Sequence, residues 1–506
     1  MISMYSESAP FPVYCHECWF SDKWEASSYG RDYDFSKPFF TQFKELQNAV
    51  PRSALWQRNC TNSEYANMVA ESKNVYLSVS VTNGSSDVFY SKAIDASFNI
   101  MDSYTLKSCD SCYENLEGEK NYNSQNLENC RNCIDSFFLI DCTNCSNCFM
   151  SSNLRNKQYC LRNQQYSKED YFKELEKLNL GNRNERKILI TEFQDLCERS
   201  IHRYANIVQA QNSTGNNLSN VKNCQNSFDV YDAENYNYSF RTYTSKDCMD
   251  YDYGQSSELM YECTTGAMYD SNVKFAYSAT GNVRDSEYID SCVSATNLFG
   301  CICIKKGENI ILNKPYSKEE YEKLREKIIA HMSELPYIDQ KGRSYSYGEF
   351  FPMEVSPFSY NETMAQNMEP ITKNEAFERG YPWKDADEKN PNITIETNNI
   401  PDSINEVSEE ILSEVLGCAH KGECNQQCAV GFRITQGELQ FYKKYNIPLP
   451  DLCPNCRFYE RSKKVLQPKL YDRTCMKCNE IKFKTPYAPG RPEIIYCESC
   501  YNKEIY

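Results

Sequence analysis

The amino-acid sequence predicts a mainly β protein whose body is a duplicated β-solenoid (β-helix-like), with capping helices and small cysteine-rich modules at the C-terminus. Three observations lead to this fold class. Turn-forming residues recur at intervals of about 12 residues in two separate regions, a helix start is repeated after each region, and paired CxxC motifs lie near the C-terminus. An irregular antiparallel β domain with asparagine-rich turns is the alternative for both regions.

The recurring residues are asparagine and aspartate, followed by β-forming residues that alternate with small polar ones. Asn and Asp tolerate the left-handed backbone conformation of tight turns, so each unit reads as a turn and a short strand. Such units cannot bury a face alone and stack on their neighbours, which predicts a solenoid. These recurring Asn and Asp residues are here called markers, and one unit near Met260 has no marker. The markers are Asn62, Asn74, Asp87, Asn99, Asp110, Asn123, Asn132 and Asn144 in the first region, and Asn223, Asn235, Asp247, Asn272, Asp285 and Asn297 in the second.

Each region is followed by nearly the same string, LRNQQYSKEDYFKEL at 161–175 and LNKPYSKEEYEKL at 312–324. In each string a serine, Ser167 or Ser317, precedes an acidic residue by three positions. This is a capping-box-like pattern, in which the hydroxyl accepts a hydrogen bond from a free backbone N–H at the start of a helix. The repeat predicts a duplicated unit made of a β body and a helix.

Composition narrows the class of protein. The 506 residues carry a formal net charge of −15, which disfavours a general nucleic-acid coat or an anionic membrane surface as partner. No apolar run approaches the roughly 18 residues of a membrane span, and the first residues show no secretory pattern, so a cytoplasmic location is expected. In that compartment 27 cysteines indicate metal ligation or burial more than disulfides. The acidic stretch 384–414 reads as a solvated connector, and a short helix is predicted over 401–418.

The last segment contains two CxxC pairs, Cys475 with Cys478 and Cys497 with Cys500, separated by 18 residues. A CxxC knuckle lets two sulfurs reach one ion from a single tight turn, and zinc takes four such ligands in a tetrahedron. Four protein ligands close the coordination shell. The motif therefore predicts a structural zinc ion in a zinc-ribbon or treble-clef module, and not a catalytic metal.

A second zinc site is predicted just upstream, around the CPNC knuckle of Cys453 and Cys456. Its predicted first pair is Cys424 with Cys428, although the spacing of these two cysteines is one residue wider than in a CxxC knuckle. Cys418 and His420 lie just before this pair, and His420 is a reserve ligand.

The stretch GFRITQGELQFYKKYNIPLPDLCPNCR resembles the probable zinc-ribbon or treble-clef domain of many bacterial proteins. The departure from that pattern is the first cysteine pair. Four further strings of the chain are PFPVYCHECWFSDKW, YGRDYDFSKPFFTQFKEL, QYSKEDY and GEFFPMEVSPFSYNET. Through these strings the whole chain resembles an uncharacterised cysteine-rich family that is frequent in candidate-phyla bacteria and has no established activity. The residues that match the zinc-ribbon pattern are Phe432, Glu438, Phe441, Tyr442, Pro448, Pro450, Cys453, Pro454, Cys456 and Arg457.

The N-terminus repeats half of the C-terminal module. YSESAPFPVYCHECWFSDKW at 5–24 aligns without gaps with YAPGRPEIIYCESCYNKEIY at 487–506, so Cys15 and Cys18 correspond to the second CxxC pair. Either the matching first pair lies upstream of Met1, or these two cysteines complete a metal site with cysteines elsewhere, of which Cys60 is the nearest candidate.

The cysteines within the repeats, in CDSC, CRNC and CTNCSNC, follow the repeat rhythm and are interpreted as small core residues; further metal sites and disulfides remain alternatives. No catalytic or cofactor-binding residue is predicted. The chain has four histidines, and its sequence shows no glycine-rich phosphate loop, GxSxG or HExxH motif.

These observations predict a zinc-binding protein with two structural ions that acts as a non-enzymatic scaffold and binds a protein partner. One alternative is nucleic-acid binding through the zinc modules and the basic segment 457–477. Another is a carbohydrate-acting β-helix enzyme, which would need clustered carboxylates on one face. The predicted organisation is a half zinc-knuckle module at 1–30, a first solenoid at 31–160, a helical segment at 161–215, a second solenoid at 216–312, a helix at 313–335, an extended linker at 336–415, a zinc-ribbon module at 416–465 and a four-cysteine treble-clef module at 470–506.

Overall fold

A computed structural model describes residues 2–385 and 390–506 of the chain. It confirms the predicted fold class, because the protein is mainly β and most of its strands belong to two large parallel sheets that wind as solenoids. The α-helices of the described residues are α1 His16–Phe20, α2 Phe39–Ala49, α3 Lys168–Leu175, α4 Arg183–Arg199, α5 Lys318–Glu334, α6 Ala365–Met368, α7 Lys373–Arg379, α8 Gln436–Lys444, α9 Pro454–Ser462 and α10 Glu498–Ile505.

Within each solenoid, a strand pairs in parallel with the strand one turn further along the chain. Asp110, for example, lies between Phe98 and Tyr122, each 12 residues away. One turn, here called a rung, therefore has about 12 residues, and each solenoid ends in a short antiparallel pairing. The first solenoid contains Gln57–Arg58, Tyr65–Ala70, Lys73–Thr82, Ser86–Phe89, Lys92–Asp95, Phe98–Met101, Tyr104–Lys107, Asp110–Tyr113, Leu116–Glu119, Tyr122–Glu128, Phe137–Ile140, Phe149–Ser152, Cys160–Leu161 and Gln164–Gln165. The second contains Ile207–Gln211, Gly215–Gln225, Ser227–Asn237, Phe240–Tyr243, Lys246–Asp252, Glu258–Ala267, Ser271–Thr280, Arg284–Val293, Ala295–Phe299, Gly307–Ile311 and Lys314–Pro315.

The asparagine and aspartate markers lie at the corners of the rungs. Asn223 and Asn235 have φ angles of 55° and 59°, in the left-handed region that Asn tolerates better than most residues. Their side chains also stack: Asn223 Nδ2 donates to Asn235 Oδ1 at 3.0 Å, and Asn235 Nδ2 donates to Asp247 Oδ1 at 2.7 Å. Asp110 is an exception, because Ser111 beside it takes the left-handed conformation.

The unit near Met260 keeps its corner without its marker. Leu259 lies 12 residues after Asp247, has a φ of 56° and exposes 53% of its surface. A left-handed conformation costs an ordinary L-residue roughly 1–2 kcal/mol. We expect Leu259→Asn to raise the free energy of unfolding by about 0.5–1 kcal/mol, measured by urea unfolding, because Asn relieves this strain. The reverse change Asn235→Leu is the matched control and should lower it; equal effects of both variants would contradict the explanation.

Small polar side chains and thiols fill much of the rung interior and satisfy backbone groups there. Ser97 Oγ donates to Asp95 O at 2.7 Å and accepts from Cys109 N at 3.0 Å. Cys109 Sγ takes the same position one rung later and donates to Lys107 O at 3.4 Å. Because a buried hydroxyl is tolerated only when it is hydrogen-bonded, this geometry explains why serine and cysteine recur on the inward face.

Three predictions about the organisation of the chain differ from the structure. The second solenoid begins with the strand Ile207–Gln211 and not at residue 216, so its first strand lies within the predicted helical segment. The first solenoid begins at Gln57–Arg58 and not at residue 31, because α2 and its connection occupy the segment before it. The stretch 384–414 is not simply a solvated connector. Its described part contains the 3-10 helices Thr397–Asn399, Ile404–Glu406 and Glu409–Ser413, in place of the short helix predicted over 401–418. The apolar residues Ile400, Ile404, Val407 and Ile411 of this stretch recur every three or four positions and are buried against residues 416–465, here called the first cysteine module. Residues 386–389 of the stretch lie outside the described chain.

The two ends of the chain pack in corresponding ways. Val13–Tyr14 pairs in parallel with Arg52–Ser53, just before the first solenoid, and Ile494–Tyr496 pairs with Ile201–Arg203, just before the second. Each end also contacts the other solenoid: the N-terminal end packs on the second solenoid and the C-terminal end on the first. Trp19 lies in the core of the second solenoid, whereas Tyr501 donates from its hydroxyl to Asp141 of the first.

None of the helices in the described part of the chain combines the length and the apolar character that crossing a membrane requires.

Candidate metal centres

The C-terminal module brings its four predicted cysteines together. Cys475 follows the strand Tyr471–Thr474, which forms a hairpin with Lys482–Thr485, and Cys497 is the N-cap of α10. The hairpin supplies the first CxxC pair and the start of the helix supplies the second. The sulfur atoms of Cys475, Cys478, Cys497 and Cys500 all lie within 4.8 Å of one another. Four thiols at this separation can hold one metal ion.

The backbone around these sulfurs favours thiolate at one of them. Cys497 N donates to Cys475 Sγ at 3.3 Å. Burial alone would raise the pKa of Cys475, but backbone N–H groups of Cys497, Cys478 and Lys477 lower it to about 6. Burial, reinforced by the neighbouring thiols, raises the pKa of Cys500 to about 12. The module is therefore arranged to stabilise one negative sulfur before a metal adds its own charge.

The upstream module forms a second four-thiol group, with a membership that differs from the expected one. Cys418 joins Cys428, Cys453 and Cys456, all four are buried, and their sulfurs lie within 4.8 Å of one another. Cys424, expected to pair with Cys428, lies instead in a separate three-ligand group with His420 and Cys456.

Strand pairing explains the role of Cys418. Leu416–Gly417 and Gly431–Phe432 form an antiparallel pair, so Cys418 and Cys428 leave the same hairpin from opposite arms. A ligand pair ten positions apart does not form a CxxC knuckle, and spacing alone therefore did not reveal it. The available signal was that Cys418 lies inside the same cysteine-rich stretch.

Hydrogen bonds connect the sulfurs of this group. Cys453 N donates to Cys418 Sγ at 3.3 Å, and Ala429 N donates to Cys453 Sγ at 3.4 Å. A hydrogen bond from the Cys418 thiol, opposed by burial, lowers the pKa of Cys453 to about 4. The thiol of Cys418 shows the opposite effect, and its pKa is raised.

Buried charges tie this module to the first solenoid. Asp102, at a rung corner, lies 2.8 Å from Arg461 Nη1 and 3.4 Å from Arg457 Nη1, and the three side chains are at most 5% exposed. Tyr90 of the solenoid donates from its hydroxyl to Glu438 of α8 at 2.8 Å. Burial opposes the charge of Arg457, but Asp102, Tyr442 and Glu438 outweigh it and raise its pKa. Nothing in the sequence pattern pointed to Asp102.

The N-terminal knuckle is formed, but it stands apart from the other cysteines. Cys15 is the N-cap of α1, and Cys18 N donates to Cys15 Sγ at 3.4 Å. Cys60 lies instead at the start of the first solenoid, where its Sγ donates to Arg58 O at 3.1 Å. Within residues 2–385 and 390–506, no cluster of three or more metal-ligating atoms includes Cys15 or Cys18.

The rung cysteines are core residues. The cysteines of CDSC, CRNC and CTNCSNC, from Cys109 to Cys148, are buried and form no disulfides in the structure. Cys130 Sγ donates to Glu128 O at 3.4 Å, and burial raises the pKa of this thiol well above its usual value. Cys130 is therefore a neutral, hydrogen-bonded thiol that acts as a structural side chain inside its rung.

Three of the four histidines lie outside the metal groups. His331 is buried and its Nδ1 lies 2.8 Å from Tyr33 Oη, and His202 Nε2 lies 2.8 Å from Cys197 O. His16 lies within the N-terminal knuckle and contacts the ring of Phe20. His420, the reserve ligand, belongs to the three-ligand group with Cys424 and Cys456.

No protein-family model matches the chain, and no curated protein matches it. A solved structure described as a putative acetyltransferase from Desulfovibrio desulfuricans G20 is similar over 53% of this chain and 69% of that chain, with 9% identity and a TM-score of 0.09. A likeness this remote carries no argument about activity.

The fold and the sites together define the class of protein: a cysteine-rich double β-solenoid with two four-thiol groups, each able to hold a metal ion.

Proposed function

We propose that the chain is a zinc-binding scaffold protein, in which two structural zinc ions hold small modules against a rigid double solenoid. The observation that carries the proposal is the pair of four-thiol groups, Cys418 with Cys428, Cys453 and Cys456, and Cys475 with Cys478, Cys497 and Cys500. An all-thiolate, four-ligand set is typical of structural zinc, because it closes the tetrahedral shell.

The contacts of the modules support a structural role. Arg457 and Arg461 of the first module meet Asp102 of the first solenoid, and Arg203, just before the second solenoid, forms an ion pair with Glu498 of the second module. A module that small has little core of its own, so metal ligation supplies much of its folding free energy. The arrangement of a knuckle, a hairpin and a helix in the C-terminal module supports the treble-clef interpretation of the sequence.

The direct test is the metal content of the full chain. After purification without added metal and gel filtration, elemental analysis should find at least about two zinc ions per chain. Removal by a strong chelator should expose residues 416–506 to hydrogen exchange and leave the solenoid rungs protected. Fewer than two zinc ions per folded chain, or identical hydrogen exchange before and after chelation, would contradict the proposal.

The nucleic-acid alternative receives less support. Arg457 and Arg461 are buried with Asp102, and Lys463, Lys464 and Lys477 each lie within 4 Å of a glutamate. Phosphate binding needs basic groups that are free to replace counterions. Most of the basic segment 457–477 is instead engaged within the protein. Retention on DNA or RNA that falls steeply with salt would reverse this assessment.

The enzyme alternative rests on carboxylates whose pKa is raised. Burial raises the pKa of Glu117 and of Asp252 to about 7, and Asp250 and Glu262 form a neighbouring pair. Burial raises the pKa of Asp250, and burial together with the charge of Asp250 raises the pKa of Glu262. Structural carboxylates shift in the same way, so these carboxylates name no reaction. A protein partner and a cytoplasmic location remain part of the proposal, and the free thiols support the second.

A further inference from the structure

The first cysteine module contains more ligands than one zinc ion uses. Its four-thiol group alone would fill a tetrahedral shell. Beside it lie a fifth cysteine, Cys424, and an imidazole, His420, and both are within 4.8 Å of Cys456. Cys456 therefore belongs to two overlapping groups of ligand atoms.

The distances around Cys456 fit a bridging sulfur. Its Sγ lies 3.9 Å from Cys418 Sγ on one side and 3.7 Å from Cys424 Sγ on the other. Zn–S bonds of about 2.3 Å in a tetrahedron place two sulfurs about 3.8 Å apart. Both separations match this value, and a thiolate has enough lone pairs to bind two ions at once.

His420 provides an independent indication of a ligand. Its Nδ1 atom is buried and has no hydrogen-bond partner within the described chain, and the same holds for Oε1 of Gln426 in this module. Buried polar atoms are normally satisfied, and an unsatisfied one costs about 1–3 kcal/mol. An ion bound at His420 Nδ1 would remove that cost for the imidazole.

We propose that this module holds two zinc ions that share the Cys456 thiolate. The first is bound by Cys418, Cys428, Cys453 and Cys456, as in the proposed function on which this inference rests. The second is bound by His420, Cys424 and Cys456. Three protein ligands leave the second ion one open position, which water or a small anionic ligand fills. The second ion also reduces the net negative charge of a largely buried thiolate cluster.

The test is zinc stoichiometry of the full chain, supplied with zinc during expression and then freed of loosely bound metal. The wild type should hold about three ions per chain and the double variant Cys424→Ser/His420→Ala about two, with both solenoids intact by circular dichroism. The control variant Cys15→Ser/Cys18→Ser removes two thiols outside the module and should keep all three. A control that loses one ion, or a Cys424→Ser/His420→Ala variant that loses none, overturns the inference.

Cadmium-113 NMR of the exchanged protein provides a second measurement. A shared thiolate should produce two resonances that are coupled to each other, and the Cys424→Ser/His420→Ala variant should lose one resonance and the coupling. Two ions in the wild type without such coupling would overturn the bridged site and leave the proposed function intact. Fewer than two ions would overturn both.

Discussion

Replacing Cys497 with serine is expected to remove one zinc ion per chain and to detach residues 471–506 from the first solenoid. Cys497 is both a ligand-group member and the N-cap of α10, and its N–H donates to Cys475 Sγ. Structural zinc sites in isolated peptides contribute about 10–16 kcal/mol, so three remaining thiols cannot retain the ion with similar affinity.

Loss of the ion should reach contacts outside the module. The pairing of Ile494–Tyr496 with Ile201–Arg203 and the contact of Tyr501 with Asp141 both depend on the position of α10. Elemental analysis should report the lost ion, and hydrogen exchange should increase in residues 201–203 and 471–506. Protection in the rungs of both solenoids should remain.

The matched control is Cys112→Ser. Cys112 Sγ donates to Asp110 O, and on the next rung Ser124 Oγ donates in the same way to Tyr122 O. Serine is thus already used at this position of a rung, and zinc content should not change. Full zinc content in Cys497→Ser would show that the ion is held elsewhere.

The second large effect is expected from Asp102→Asn. The carboxylate of Asp102 is the nearest counter-charge of two buried guanidinium groups, those of Arg457 and Arg461, and Glu438 also lies near Arg457. Removing one partner of a buried ion pair leaves an uncompensated charge and typically costs about 3–5 kcal/mol. We expect the free energy of unfolding to fall by about that amount in urea titrations, with residues 416–465 losing protection against hydrogen exchange first.

Asparagine keeps the corner backbone while it removes the charge. Asp102 has a φ of 50°, and exposed Asp232 has a φ of 54° at a corner of the second solenoid, so Asp232→Asn is the matched control and should change stability little. Combining Asp102→Asn with Arg461→Met should recover part of the loss, because one buried charge is then absent. Equal effects of Asp102→Asn and Asp232→Asn would refute a role for the buried pair.

The sequence predicted features that depend on local chemistry. The regular spacing of Asn223, Asn235 and Asp247 predicted left-handed corners, because Asn and Asp adopt that conformation more readily than most residues. Their side chains also hydrogen-bond to each other from rung to rung, 12 residues apart. The two C-terminal CxxC pairs predicted a four-thiol group, because each CxxC knuckle forms within one tight turn. Ser317 and Glu320 form the predicted capping box of α5.

Other features escaped prediction because their partners are distant in the chain. Cys418, and not Cys424, joins Cys428 because a hairpin brings opposite arms together. Asp102 is one corner residue among many until Arg457 and Arg461 are packed onto it. The apolar residues of 400–411 are spaced for burial, but their acidic neighbours made the segment read as a connector.

The amino-acid sequence by itself determined the 12-residue rung, its duplication and the four C-terminal thiols, because each depends on contacts within a turn or between adjacent rungs. Tertiary structure decided which module docks on which solenoid and which charges are buried between a module and its solenoid. It also decided which thiols join Cys453 and Cys456 in one four-thiol group. Those outcomes depend on residues hundreds of positions apart, such as Asp102 with Arg461 and Asp141 with Tyr501. Their pairing follows from the burial of whole surfaces, which no local pattern encodes.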